Sequence, residues 1–226
     1  MTTVKLVSHT KPTEEFEHEG LVNVQDLIAF CARVSNPSAQ INSETSEKLI
    51  KYLIKHQHWS PLEMVNAVLE INTTRDIAHQ IVRHRSFAFQ EFSQRYADVG
   101  ELGDMFVHRE PRMQDKKNRQ NSVDIDVNNQ EDVRLAMIWA SYQNKVIQEA
   151  KEAYKWAIDN GIAKEQARVV LPEGLTKTRL YMNGTLRSWV HYIDLRSAHG
   201  TQKEHAEIAK ACASVINNIF PLIKNL

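Results

Sequence analysis

Within the stretch Gln80 to Tyr96, QIVRHRSFAFQEFSQRY, the hydrophobic pattern changes period, and that change limits what the chain can build. Ile77, Ala78, Ile81 and Val82 recur at helical spacing behind Thr73 and Thr74, either of which can cap a helix. Asp76 falls in the first turn, where the helix dipole favours a carboxylate. From Phe87 the pattern alternates, and an extended segment to Arg95 sets Phe87, Phe89, Glu91, Ser93 and Arg95 on one side. A helix therefore hands over to a strand at Arg83-His84-Arg85, with Gln80 three and four residues behind on the same polar face. No lysine occurs between Lys55 and Lys116, so the positive charge here is all arginine, whose planar fork pairs bidentately with phosphate or carboxylate. The mixture suits a phosphorylated small molecule. A surface Glu/Arg cross-pair is the simpler account of Glu91 and Arg95 alone, but the neighbouring Arg83-His84-Arg85 weighs against it.

The rest of the chain supplies elements around this joint. Val4 to Val7 reads as a short strand, Val24 to Val34 as a helix ended by Asn36-Pro37, Ser43 to His56 as a second helix, and Met64 to Ile71 as a half-buried strand. Arg109 to Asn129 reads as a solvated loop whose charges do nothing specific. Gln130 to Asp159 is a long amphipathic helix with Val133, Met137, Ala140, Ile147, Ala150, Tyr154 and Ile158 near one stripe. A rod of that length often finishes its burial against another subunit, although core packing is the commoner explanation. A short helix from Ala163 stops before Pro172 and holds Arg168. Thr176 to Asn183 alternates as a strand that Asn183-Gly184 would break. Thr185 then caps a helix through Asp194, with Leu186, Val190 and Ile193 facing the core, Arg187 and His191 opposite, and Arg196 at its end. Thr201 to Glu204 spells a capping box for a last, purely structural helix.

Composition excludes several classes. Lysine plus arginine and aspartate plus glutamate both number 28, which removes the broad electrostatic footprint of a nucleic-acid-binding protein. Cys31 and Cys212 are too far apart for a zinc motif and read as reduced packing thiols. No histidine pair has metal-ligand spacing beside a carboxylate, so no metal site is expected. No apolar run approaches a membrane span, and the expectation is one domain over residues 1–226, cytoplasmic, with no nucleic acid and no membrane partner. There is no glycine-rich phosphate loop, so side chains must cradle any phosphate. A non-catalytic module stacking bases on the aromatic residues is the competing class, and neutral charge and the embedded Glu91 count against it.

Four ordered blocks carry a resemblance. Arg83-His84-Arg85 followed by Ser93 and Arg95, with Glu91 between, resembles the signature of the flavin-dependent thymidylate synthases. His58-Trp59-Ser60-Pro61-Leu62-Glu63, the ARVVLP segment around Arg168, and Asn183 to Arg196 ending in DLR resemble three further blocks of that family. The resemblance implies an α+β fold, a twisted antiparallel sheet flanked by helices with a long helical portion, in a homotetramer whose active sites are shared between subunits. It implies methylation of dUMP to dTMP, with methylenetetrahydrofolate as carbon donor and FAD reduced by NADPH.

By residue, it implies that Gln80, Arg83, Glu91, Ser93, Gln94, Arg95, Arg168 and Arg196 hold dUMP. Arg196 is the activating catalytic residue, its guanidinium stabilising negative charge on the uracil ring. Ser60, Glu63, Arg83, His84, Arg85, Glu91, Asn183, Arg187 and His191 would contact FAD, and His58 would border the folate side. Arg168 and Arg196 are expected from other segments and from other subunits. Gln90, Met64 and His191 depart from the residues common in the family, and Phe87 places an unusual bulk after Arg85.

Overall fold

The computed structural model describes residues 2–222; Met1 and residues 223–226 of the expected span lie outside the described residues. In chain order the elements are β1 (Thr3–His9), α1 (Glu14–His18), α2 (Val24–Ala32), α3 (Ser46–Lys55), β2 (Asn66–Thr74), α4 (Arg75–Ile81) and β3 (Ala88–Glu91). After them come β4 (Arg112–Gln114), β5 (Ser122–Asp124), α5 (Gln130–Asp159), α6 (Lys164–Ala167), β6 (Lys177–Thr185), α7 (Leu186–Ser197) and α8 (Lys203–Asn217). Strands β1-β2-β6-β3 form one antiparallel sheet, and β4 and β5 a separate ribbon. The expected α+β class, an antiparallel sheet flanked by helices, is what the chain forms.

Period-two burial explains the sheet. Ala67, Leu69 and Ile71 of β2 are buried and stand directly opposite Gly184, Met182 and Leu180 of β6, so both strands turn one apolar face to the same side. Ile77, Ala78 and Ile81 of α4, Leu186, Trp189 and Tyr192 of α7, and Ile208, Cys212 and Ile216 of α8 join them in one cluster. Each large side chain buried there is worth about 1.5–3 kcal/mol, against about 0–1 kcal/mol for an exposed ion pair, so this cluster decides stability. Cys212 lies fully buried inside it and Cys31 is free, as packing thiols should be.

Several expectations fail for visible reasons. The extended segment after Phe87 is only Ala88–Glu91 long, because Ser93 closes a turn: its carbonyl accepts from Tyr96 and Ala97 N–H, and its hydroxyl accepts from Arg95 N–H. Asn183-Gly184 does not end β6, which pairs with β2 through Thr185. Gly184 is needed there because the Phe87 ring lies where a Cβ would stand. The capping box does not form; Gln202 is the N-cap of α8 with no side-chain cap, and Glu204 is drawn away to arginines. Val34 and Val82 sit exposed past the ends of α2 and α4.

Helix α5 has the predicted bounds, capped by the Asn129 side chain, which accepts from the N–H of Glu131 and Asp132. Only its second half follows the predicted stripe: Ile147, Ala150 and Tyr154 are buried, whereas Val133 is exposed and Met137 is 70% exposed.

Candidate active site

The helix-to-strand joint is a tight turn. His84 N–H donates to Ile81 O, Phe87 N–H donates to His84 O, and the Ser188 hydroxyl of α7 donates to Ser86 O at 3.2 Å. Phe87 anchors the turn from inside, its ring 4.8 Å from Trp189 and 5.9 Å from Tyr192. That is how the chain accommodates the bulk after Arg85: the ring is partly buried against the core, seated over Gly184. Arg83 and Arg85 are left exposed and have no hydrogen-bond or ion-pair partner among the described residues.

Helix α7 brings Arg196 to the same turn, within one chain. Its Nε donates to His84 Nε2 at 2.9 Å, which requires a lone pair on that nitrogen and hence a neutral imidazole. Burial, and then the Arg196 charge, lower the His84 pKa, consistent with that role. The His84 ring meets Tyr192 edge-on at 4.9 Å. Gln80 reaches the group from α4, donating to Gln202 at 2.8 Å and facing His205 Nδ1 at 3.3 Å. Gln202, the N-cap of α8, and His205 within it thus face the joint.

A second group lines the first turn of α7. His58, Trp59, Ser60, Pro61 and Arg187 border an open cleft of about 470 Å³. Arg187 pairs with Glu63, and His191 meets the Trp59 ring at 4.8 Å. Asn183 is exposed on β6 opposite Ala88 of β3.

The remaining predicted residues are placed differently from the expectation of one row along a strand. Glu91 is turned into the protein, accepting from Arg75 Nη1 at 3.0 Å and Thr178 Oγ1 at 2.9 Å. Arg95 leaves the strand for the turn and pairs with Glu165 at 3.3 Å, and Arg168 Nε donates to the Glu165 carbonyl at 3.3 Å, so these two arginines meet across one residue of α6. Gln94 is buried with its Nε2 unpartnered among the described residues.

Sequence reasoning missed the groups that hold the joint. Arg109 donates to Asp76 at 2.8 and 3.0 Å, to Thr74 and to the Gly174 carbonyl, and pairs with Glu204 at 3.2 Å. Arg112 donates to both Glu204 oxygens, at 2.7 and 2.8 Å. The loop thought idle thus ties α4 to α8. Burial opposes ionisation of Glu204, but its own helix-start N–H, the Arg112 and Gln202 hydrogen bonds and the Arg109 charge outweigh it and hold the carboxyl below its ordinary range. Tyr192 and His205 were also missed, because a buried tyrosine or histidine looks like core until its partners are seen.

The donor set fits an anionic, flat cofactor. Guanidinium groups without a partner among the described residues suit its phosphates, and the cleft bordered by His58 and Trp59 offers ring faces. Among the described residues no group of histidine, cysteine, aspartate or glutamate could hold a metal ion, and no helix is long and apolar enough to cross a membrane.

The fold is shared with a solved structure. It matches the crystal structure of a UMP/dUMP methylase from Streptomyces cacaoi bound with 5-Br dUMP at a TM-score of 0.78, covering 99% of this chain and 93% of that one at 24% identity. Residues 20–222 match the family described as thymidylate synthase complementing protein. A probable flavin-dependent thymidylate synthase of Paramecium bursaria Chlorella virus 1 is 47% identical over 98% of this chain and 96% of its own length. The flavin-dependent thymidylate synthase of Synechocystis sp. is 45% identical, over 97% and 96%. The chain belongs to the flavin-dependent thymidylate synthase family.

Proposed function

We propose that the protein methylates dUMP to dTMP, taking the one-carbon unit from methylenetetrahydrofolate and reducing equivalents from NADPH by way of FAD. The observation that carries this is the joint itself: family identity spans nearly the whole chain, and at its centre Arg83 and Arg85 stand exposed without carboxylate partners among the described residues. Bound FAD supplies hydride chemistry that side chains lack. The chain supplies position and charge. Arg83, His84, Arg85, Ser60, Glu63, Asn183, Arg187 and His191 would hold the cofactor, with Ser60 and Arg187 at the cleft and His58 toward the folate. Glu91, pinned by Arg75 and Thr178, would touch both cofactor and nucleotide only along its remaining edge.

Gln80, Arg83, Ser93, Gln94, Arg95 and Arg168 would hold dUMP, with Ser93 and Arg95 at the phosphate. Arg196 would activate the uracil ring by stabilising charge on it, and its bond to neutral His84 holds the guanidinium at the turn without spending its charge on a carboxylate. A homotetramer with shared sites completes the reading. It is supported by the exposed Leu135, Met137, Ile138, Trp139 and Tyr142 on α5, beside an open groove of about 890 Å³. The protein is read as a single cytoplasmic domain.

Purified protein should be yellow and should form dTMP from dUMP only when folate and reductant are both supplied. Colourless protein that fails to take up FAD, or salt-sensitive oligonucleotide binding in its place, would overturn the assignment.

A further inference from the structure

Every member of a chain of side chains running from α8 to the joint has its hydrogen-bonding role forced by its neighbour. Glu204, ionised between Arg112 and Arg109, can only accept, so the Gln202 amide gives it Nε2, at 3.0 Å. Gln202 Oε1 is then the group facing Gln80, and it accepts from Gln80 Nε2 at 2.8 Å. Gln80 Oε1 is left facing His205 Nδ1 at 3.3 Å, which must carry the proton. A neutral ring with its proton there offers Nε2 as acceptor, and the Tyr192 hydroxyl donates to it at 3.1 Å. His205 is fully buried. Burial, then the Arg196 charge, push its pKa down to about 4, so it is neutral at physiological pH, and burial raises the Tyr192 pKa, keeping that donor protonated.

We propose that Gln202, His205 and Tyr192 are positioning residues that lock the Gln80 amide in one orientation, so that its remaining N–H and lone pair meet a pyrimidine nucleotide in a fixed donor–acceptor order. The inference rests on the reading of Gln80 as a dUMP contact. An unrestrained glutamine amide turns over at little cost and presents the reversed pattern, whereas a uracil ring has donor and acceptor positions that are not interchangeable. Arg112 and Arg109 thus act on the nucleotide site through Glu204, without touching it.

The test is calorimetric titration of FAD-loaded enzyme with dUMP. Gln80→Ala should weaken dUMP binding about 10-fold, His205→Leu about as much and Tyr192→Phe about 3-fold, the scale of one hydrogen bond each, with FAD content unchanged. His205→Asn, whose amide N–H can stand in for Nδ1–H, should restore affinity to within about 2-fold of the original. In the Gln80→Ala background, His205→Leu should add less than about 2-fold, because its effect passes through Gln80. Full additivity in that double variant, or wild-type affinity in Tyr192→Phe and His205→Leu while Gln80→Ala is weakened, overturns the relay and leaves the nucleotide reading standing. Wild-type affinity in Gln80→Ala overturns the nucleotide reading of Gln80 itself. Should His205→Leu fail to retain FAD, Tyr192→Phe decides alone.

Discussion

The two ends of α4 treat arginine in opposite ways. At the N-terminal end Arg75 is bonded to Glu91, and Arg109 to Asp76, both guanidinium groups mostly buried. At the C-terminal end Arg83 and Arg85 face outward with no partner among the described residues, and Arg196 donates to a neutral histidine instead of a carboxylate. The helix dipole favours both arrangements, a carboxylate at the start and cations at the end. What differs is where the opposite charge comes from: the protein supplies it at one end and, on the proposed reading, a ligand would supply it at the other. The first set of arginines ties elements of the fold together, and the second set is left without carboxylates among the described residues.

The largest effect should come from Arg196→Ala, which should lower turnover about 100- to 1000-fold, the loss expected when a preorganised charge at a reacting ring is removed. The same variant should move the thermal midpoint by no more than about 4 °C. A collapse in midpoint would place Arg196 with the structural set and dissolve the contrast. Arg109→Ala should do the reverse, costing about 3 kcal/mol in denaturant unfolding by stranding Asp76, while Glu204 keeps Arg112. Unchanged stability there would show that the buried cage contributes nothing.

The finest probe is pH, because His205 of α8 is buried and held neutral behind the joint. The folded pKa of His205, about 4, lies below the ordinary histidine value near 6.5. Between those values the unfolded chain binds a proton that the folded chain refuses. Stability should therefore be full above about pH 6.5 and fall toward pH 4, with a slope of up to about 1.4 kcal/mol per pH unit from this residue. His84, lowered in the same direction, adds to the fall. Denaturant midpoints measured across this window should decline less steeply in His205→Leu; an identical slope would remove His205 as a source.

What could be read from residues alone followed the range of the forces involved. Helix α5 was legible to its ends because its helical period is local. The helix–strand joint was legible because its charge pattern is local as well, and the four blocks pointed to the family. The continuation of β6 through Gly184 was not, since the reason is the ring of Phe87, brought there by the fold. Nor were the duties of Arg109, Arg112 and Glu204, whose partners lie on other elements; in sequence they look like loop charges and half of a capping box. Exposed arginines at 83 and 85 could be found by composition, but which arginines remain without a carboxylate is a property of the folded chain.

The separation between Gln80 and the residues that orient it has a consequence for how the protein is made. Gln202 lies 122 residues further along the chain than Gln80, and His205 lies 125. A ribosome releases the joint long before it releases α8, so a nascent chain can close its sheet between β2 and β6 while Gln80 is still free to turn over. Competence to recognise a nucleotide in the correct sense would then arise late in synthesis, with the docking of α8, and any delay in that docking would yield a folded-looking but undiscriminating intermediate.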